Sequence, residues 1–220
     1  MGVISIISID IGLKNLAIYK EYFDTDTAKN IVIPKLRYNK LGEAHPEFKE
    51  YIDKVAQCGQ CVFIDKHELG QRKDMFNNKV FLEIIDYFDK LNTQGIFNDV
   101  NVILIEKQLK INGIASIIMH HIHSWMMINF RDFKKTILYP PKNKTRILGA
   151  ALKELDEKGK ATRVDKSFRK KWAVKRAEEI LILREDLETL SIFEKNKSKR
   201  DDIADTLIQC LSYNVQKLIK

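Results

Sequence analysis

No stretch of 18 apolar residues occurs in the 220-residue chain, so no segment of it reads as a membrane-spanning helix. Cysteine is scarce: three residues, an odd number, are too few for the disulfide framework of a small secreted domain. No internal repeat and no long structureless linker interrupts the chain. The first residues read as an apolar strand rather than as a basic and apolar leader, so a soluble intracellular product is expected. Met1-Gly2 is not a myristoylation signal, since Ile6 stands where that motif needs Ser or Thr.

With 45% apolar residues, the chain can bury one sizeable core, so one domain over residues 1 to 220 is expected, with an insertion or irregular connection at about 41 to 73. Lysine and arginine exceed aspartate and glutamate by 38 to 30, giving a net charge of +8 and an isoelectric point of about 9.2. Such an excess suits a polyanion, and nucleic acid is the expected partner. Residues 158 to 176 hold nine basic side chains against one acidic one, Asp165. Lys142, Lys144 and Arg146 follow Pro140-Pro141. Such runs serve either as solvated helix faces or as phosphate contacts.

Apolar and alternating segments predict antiparallel strands at 3 to 10, 16 to 22 and 31 to 38. Helical spacing appears at Phe76, Val80, Ile84, Phe88 and Leu91, and again at Ile114, Ile118, Ile122, Trp125 and Met126. Val102 to Ile105 and residues 136 to 139 read as short strands, followed by helices near 143 to 156, 166 to 184 and 199 to 218. This order predicts an α/β fold with a mixed five-stranded sheet, its first three strands antiparallel and the later ones parallel, flanked by helices.

Four carboxylates stand out. Asp10 and Glu106 each end an apolar strand, where an ionised side chain is costly unless something compensates it. Asp202 and Asp205 share one face of the last helix, which opens on the capping pattern Ser198-x-x-Asp201. The helix dipole explains Asp201, but Asp205 lies beyond the first turn and beside apolar Ile203 and Leu207. Hard divalent cations take such oxygen ligands, and a pair of them can drive hydrolysis of a phosphodiester that flanking lysines and arginines grip.

The segments Asp10-Ile-Gly-Leu-Lys-Asn-Leu-Ala17, Leu104-Ile-Glu106-Lys-Gln108, Asp165-Lys-Ser-Phe-Arg-Lys-Lys171 and Asp201-Asp-Ile-Ala-Asp-Thr-Leu207 resemble, in this order, the RuvC-like Holliday junction resolvases of the ribonuclease H-like superfamily, most closely the poxvirus type. The likeness covers the chain except about 41 to 73. It implies a ribonuclease H-like fold, with Asp10, Glu106, Asp202 and Asp205 as catalytic metal ligands for Mg2+, or Mn2+ in its place, two ions to a site. It further implies a homodimer that nicks branched DNA, working at cytoplasmic viral replication sites if the source is a poxvirus. Bacterial relatives have Asp-Pro-Gly where this chain has Asp10-Ile-Gly12. Lys14, Lys107, Gln108, Lys142, Lys144, Arg146, Arg169, Lys170, Lys171 and Lys175 are the candidate DNA contacts, with Lys171 and Lys175 also considered as stabilisers of transition-state charge.

Weaker signals accompany these. Cys58-Gly-Gln-Cys61 has half the spacing of a zinc site and lies between His45 and His67, but a second pair is missing. His120, His121 and His123 fall within an apolar helix, where satisfied histidines are the commoner outcome. Trp125 and Trp172 read first as packing residues, and Cys210 as a small core residue. Three other functions compete: another ribonuclease H-like nuclease acting on hybrids or packaging intermediates, a non-catalytic DNA-binding module, and an actin-like phosphate loop at Asp10-x-Gly12. The last needs a duplicated domain that this chain does not contain.

Overall fold

A computed structural model describes residues 2–12, 14–69, 78–109, 111–155, 159–195 and 200–220. Ser198, expected to cap the last helix, lies outside these residues, as do Gly70, Phe76 and Lys158.

Strand β1 (Val3–Ile11) is buried along seven consecutive residues because helices cover both of its faces. It pairs antiparallel with β2 (Asn15–Asp24), and β2 pairs antiparallel with β3 (Gly59–Glu68). On its other side β1 pairs in parallel with β4 (Val102–Glu106), which pairs in parallel with β5 (Lys135–Tyr139). The strand order is therefore β3-β2-β1-β4-β5, the mixed five-stranded sheet expected from the sequence.

Alternation along the strands sorts the core into two layers. Ile6, Tyr19 and Leu104 face α2 (Pro46–Gln57), α6 (Lys166–Leu183) and α8 (Arg200–Leu218). Ile7, Ile9, Ile11, Ile103 and Ile105 face α3 (Asn78–Thr93) and α4 (Gly113–Phe130), where Trp125 packs against Phe88, Phe97 and Phe130. Each buried isoleucine stabilises the sheet by roughly 2 kcal/mol. Shorter helices α1 (Thr25–Lys29), α5 (Pro141–Ile147) and α7 (Leu187–Lys195), with a 3-10 turn at Arg131–Phe133, complete the helical set of the described residues.

The third strand differs from expectation. Residues 31 to 38 form no strand; they carry Pro34 and make one isolated bridge, Tyr38 with Ala44. The place is taken by β3, which lies in the segment read as irregular. It was hard to see because an edge strand tolerates the run Asp65-Lys-His-Glu68. Helix α2, in the same segment, buries Phe48, Tyr51, Ile52, Val55 and Ala56. The helix expected over 143 to 156 is also shorter. It ends at Ile147, and Gly149 then adopts φ +76°, the left-handed backbone that glycine accepts without strain. Residues Lys153–Leu155 and Ala161–Arg163 form an exposed two-stranded ribbon, β6 and β7.

A buried polar knot ties α6 to the sheet. Glu21 is fully buried on β2; Arg184 Nη1 reaches its Oε2 at 3.1 Å and Tyr19 Oη at 2.6 Å, and Asn214 Nδ2 donates to Glu21 Oε1 at 2.8 Å. Arg184 Nε donates to the Ala56 carbonyl at 2.7 Å. Gly59 leaves room for this guanidinium, since a Cβ there would stand 2.3 Å from Arg184 Nη2 and 3.0 Å from Glu21 Oε2. Gly59→Ala is expected to destabilise the protein by about 3 kcal/mol, because displacing one partner strands a buried charge. Thermal melts check this beside Gly113→Ala, whose Cβ would meet nothing within 4 Å.

Candidate active site

The sheet register sets the site. Ile9 pairs with Ile105, so the next residues, Asp10, last but one in β1, and Glu106, last in β4, lie side by side on the α8 face. Helix α8 is pinned over the same two strands, where Gln209 Nε2 donates to the Ile9 carbonyl at 3.3 Å and the Leu104 carbonyl at 3.4 Å. Asp205, one turn before Gln209 on the same helical face, is thereby set against the strand ends.

These three carboxylates converge on one ammonium. Lys144 Nζ lies 2.9 Å from Asp10 Oδ1, 2.8 Å from Glu106 Oε1 and 3.4 Å from Asp205 Oδ2. Lys144 is 3% exposed, so this residue, read as a surface phosphate contact, is instead the buried counter-ion of the acidic cluster. Gln108 Nε2 fixes the outer oxygen of Glu106 at 2.8 Å. Asp202 stands at the rim, one turn nearer the start of α8, and accepts from Asn15 Nδ2 at 3.2 Å. Lys170 pairs with Asp201 beside it.

Electrostatics follow from burial and mutual repulsion. Burial first, then Glu106 and Asp205, hold the Asp10 carboxyl well above the usual carboxylate range despite Lys144. Burial and Glu106 raise Asp205 against the same lysine. Asp202 is raised by burial and Asp201. Burial opposes the charge on Glu106, but Lys144 and hydrogen bonds from Asp10, Lys144 and Gln108 outweigh it and hold that carboxyl low. Burial likewise works against the Lys144 ammonium, and the three carboxylates more than offset it. Fully ionised, the three carboxylates would carry more negative charge than one ammonium neutralises, and the raised Asp10 and Asp205 carboxyls reflect that excess. With Lys144 at the centre, no three carboxylate, imidazole or thiolate groups among the described residues stand close enough to enclose an ion as they are. The donor set nonetheless fits a hard divalent cation: all are carboxylate oxygens, and a cation already occupies their focus.

Of the other expected contacts, Lys14, Lys107, Lys142, Arg146, Lys171 and Lys175 are exposed, Gln108 and Arg169 partly buried. Lys144 and Lys170, rather than Lys171 and Lys175, touch the acidic groups. The cysteine and histidine residues do not assemble: Cys61 and His67 lie six residues apart on β3, roughly 20 Å in extended chain. Burial pushes the Cys61 thiol up to about 11, and His67 pairs with Glu83 and stacks on Tyr87. His121 meets the carbonyl and ring of Phe81, and Trp125 Nε1 donates to Asp89.

No protein-family model matches the chain. Its fold is the ribonuclease H-like one, similar to that of the fowlpox virus resolvase solved in complex with its substrate Holliday junction DNA, with 18% identity, 99% of this chain and 100% of that chain covered, and a TM-score of 0.57. A second structure, the fowlpox virus Holliday junction resolvase, is 15% identical with 96% of each chain covered and a TM-score of 0.50. The poxvirus-type likeness of the motifs therefore extends to the fold. Among curated proteins, uncharacterized protein 170L of Invertebrate iridescent virus 6 is 28% identical over 127 residues, 53% of this chain. The match spans about half of that relative, 51% of its length.

Proposed function

We propose that the protein is a divalent-metal-dependent endonuclease that resolves four-way DNA junctions by paired nicks. The observation that carries this reading is the convergence of Asp10, Glu106 and Asp205 on one buried cation at the adjacent ends of β1 and β4. Asp10, Glu106 and Asp205, with Asp202 at the rim, would hold Mg2+, or Mn2+ in its place, as two ions. When bound, such ions activate water and stabilise the leaving oxygen of a phosphodiester. The chain's own residues prepare the site: Gln108 orients Glu106, Asn15 orients Asp202, and Lys144 balances part of the charge. The exposed cations Lys14, Lys107, Lys142, Arg146, Lys171 and Lys175 then hold the flanking backbone. A junction with two-fold symmetry calls for two such sites, so the working form in this reading is a homodimer. Among the described residues no helix is long and apolar enough to cross a membrane.

A cleavage panel tests the proposal: a four-way junction, linear duplex, flap and RNA–DNA hybrid, each with Mg2+ and with EDTA. Junction cut into nicked duplexes in Mg2+ alone is the expected result. Preference for the hybrid, or cleavage undiminished by EDTA, overturns it.

A further inference from the structure

One row of side chains crosses the whole sheet at the level of the acidic cluster. Lys66 on β3 pairs with Ala17 on β2, and Ala17 with Asp10 on β1. Glu106 follows beside Asp10, and Glu106 pairs with Tyr139 on β5. Directly paired residues project to the same side of a sheet, so Lys66 shares the α8 face with the carboxylates. The neighbours of Lys66 confirm this alternation. Ile64 joins the core under α8, whereas Asp65 and His67 turn the other way, to Tyr87 of α3.

Ala17 contributes only a methyl group between Lys66 and Asp10, leaving the floor between them low. Two strand spacings, roughly 10 Å, separate the backbones of Lys66 and Asp10, a gap that a lysine side chain can largely cross. Of the other cations near the carboxylates, Lys144 is engaged by three of them, Lys170 by Asp201, and Arg176 by Asp53 and Glu179, while Lys171 and Lys175 lie exposed on α6. Lys66 is half-buried and makes no ion pair within 4.0 Å among the described residues. Its charge does act on Asp202 at the rim.

We propose that Lys66 is a phosphate-binding residue, which grips the DNA backbone beside the scissile phosphate from the β3 side of the carboxylates. The proposal rests on the nuclease reading and adds to it a contact from an edge strand. A neutral partner has nothing to offer an ammonium that has no ion pair among the described residues, whereas the backbone of a bound DNA brings a phosphate charge within its reach. A single phosphate contact shows itself in salt dependence, since each one released contributes about 0.9 to the slope of log affinity against log salt.

The test measures four-way junction binding in EDTA across a KCl series for wild type, Lys66→Ala and Lys66→Arg, with thermal melts of each. Lys66→Ala is expected to bind roughly 5- to 10-fold more weakly, uniformly across junction sequences, with the salt slope lowered by about 1 and the melting temperature little changed. Lys66→Arg is expected to restore both slope and affinity. An unchanged slope in Lys66→Ala overturns the inference. A lower melting temperature at unchanged slope would instead make Lys66 a structural counter-ion of Asp202. Wild type that fails to bind the junction would overturn the nuclease reading and this contact together. Wild-type binding with an unaffected Lys66→Ala sinks only the contact.

Discussion

Asp10→Asn is expected to lower junction cleavage by roughly 10^3-fold or more, the equivalent of about 4 kcal/mol of transition-state stabilisation, while junction binding in EDTA stays within a few-fold of wild type. The substitution keeps the shape of the side chain and removes one oxygen charge from the focus of the cluster. Its effect on stability runs the opposite way from its effect on activity. Three carboxylates around one ammonium leave a charge of −2 when all are ionised, and the asparagine reduces it to −1. Because burial and the neighbouring acids raise the Asp10 carboxyl, its contribution to folding stability is fully present only below the unfolded carboxylate range and is lost as pH rises through the raised value. Metal-free wild type should therefore fall behind Asp10→Asn as pH rises above the ordinary carboxylate range of about 4, by melts in EDTA. A variant that cleaves like wild type would leave a non-catalytic DNA-binding module as the better description. A variant that melts well below wild type at pH 7 would make Asp10 structural.

How far the sequence disclosed this site depends on the kind of signal each residue leaves. Asp10 and Glu106 were legible because a carboxylate closing an apolar run contradicts its surroundings, and Asp205 because it lies past the reach of the helix dipole. Lys144 left a misleading signal, since Lys142 and Arg146 on either side are exposed and make the segment look uniformly solvated. The periodicity held the answer: Lys144 shares its helical face with Ile147 and Leu148, three and four residues on, and all three are buried. Glu21 could have been found the same way, because it alternates with Tyr19 and Phe23 on the inward side of β2. Strand β3 was hidden by its position. An edge strand has one side open, so its polar residues erase the alternation that revealed β1 and β4.

Lys144→Met separates the two roles a cation can play at such a focus. Methionine keeps most of the apolar stem but ends one atom short of the ammonium and leaves Asp10, Glu106 and Asp205 facing one another with no counter-charge, in a site where Lys144 is 3% exposed. Breaking a buried charge pair by removing one partner costs about 3–5 kcal/mol. In a domain of this size that corresponds to a melting temperature lower by roughly 6–20 °C in EDTA. The same change vacates the point on which the carboxylates converge, so divalent ions should bind the variant more tightly than wild type and recover much of the lost stability. Melts with EDTA, Mg2+ and Mn2+ give a readout independent of cleavage. The expected pattern is a small metal-induced rise for wild type and a large one for the variant. If Lys144→Met melts like wild type in EDTA, the carboxylates do not depend on this lysine. If it melts low and no divalent ion restores it, the cluster is a structural ion-pair network rather than a metal centre.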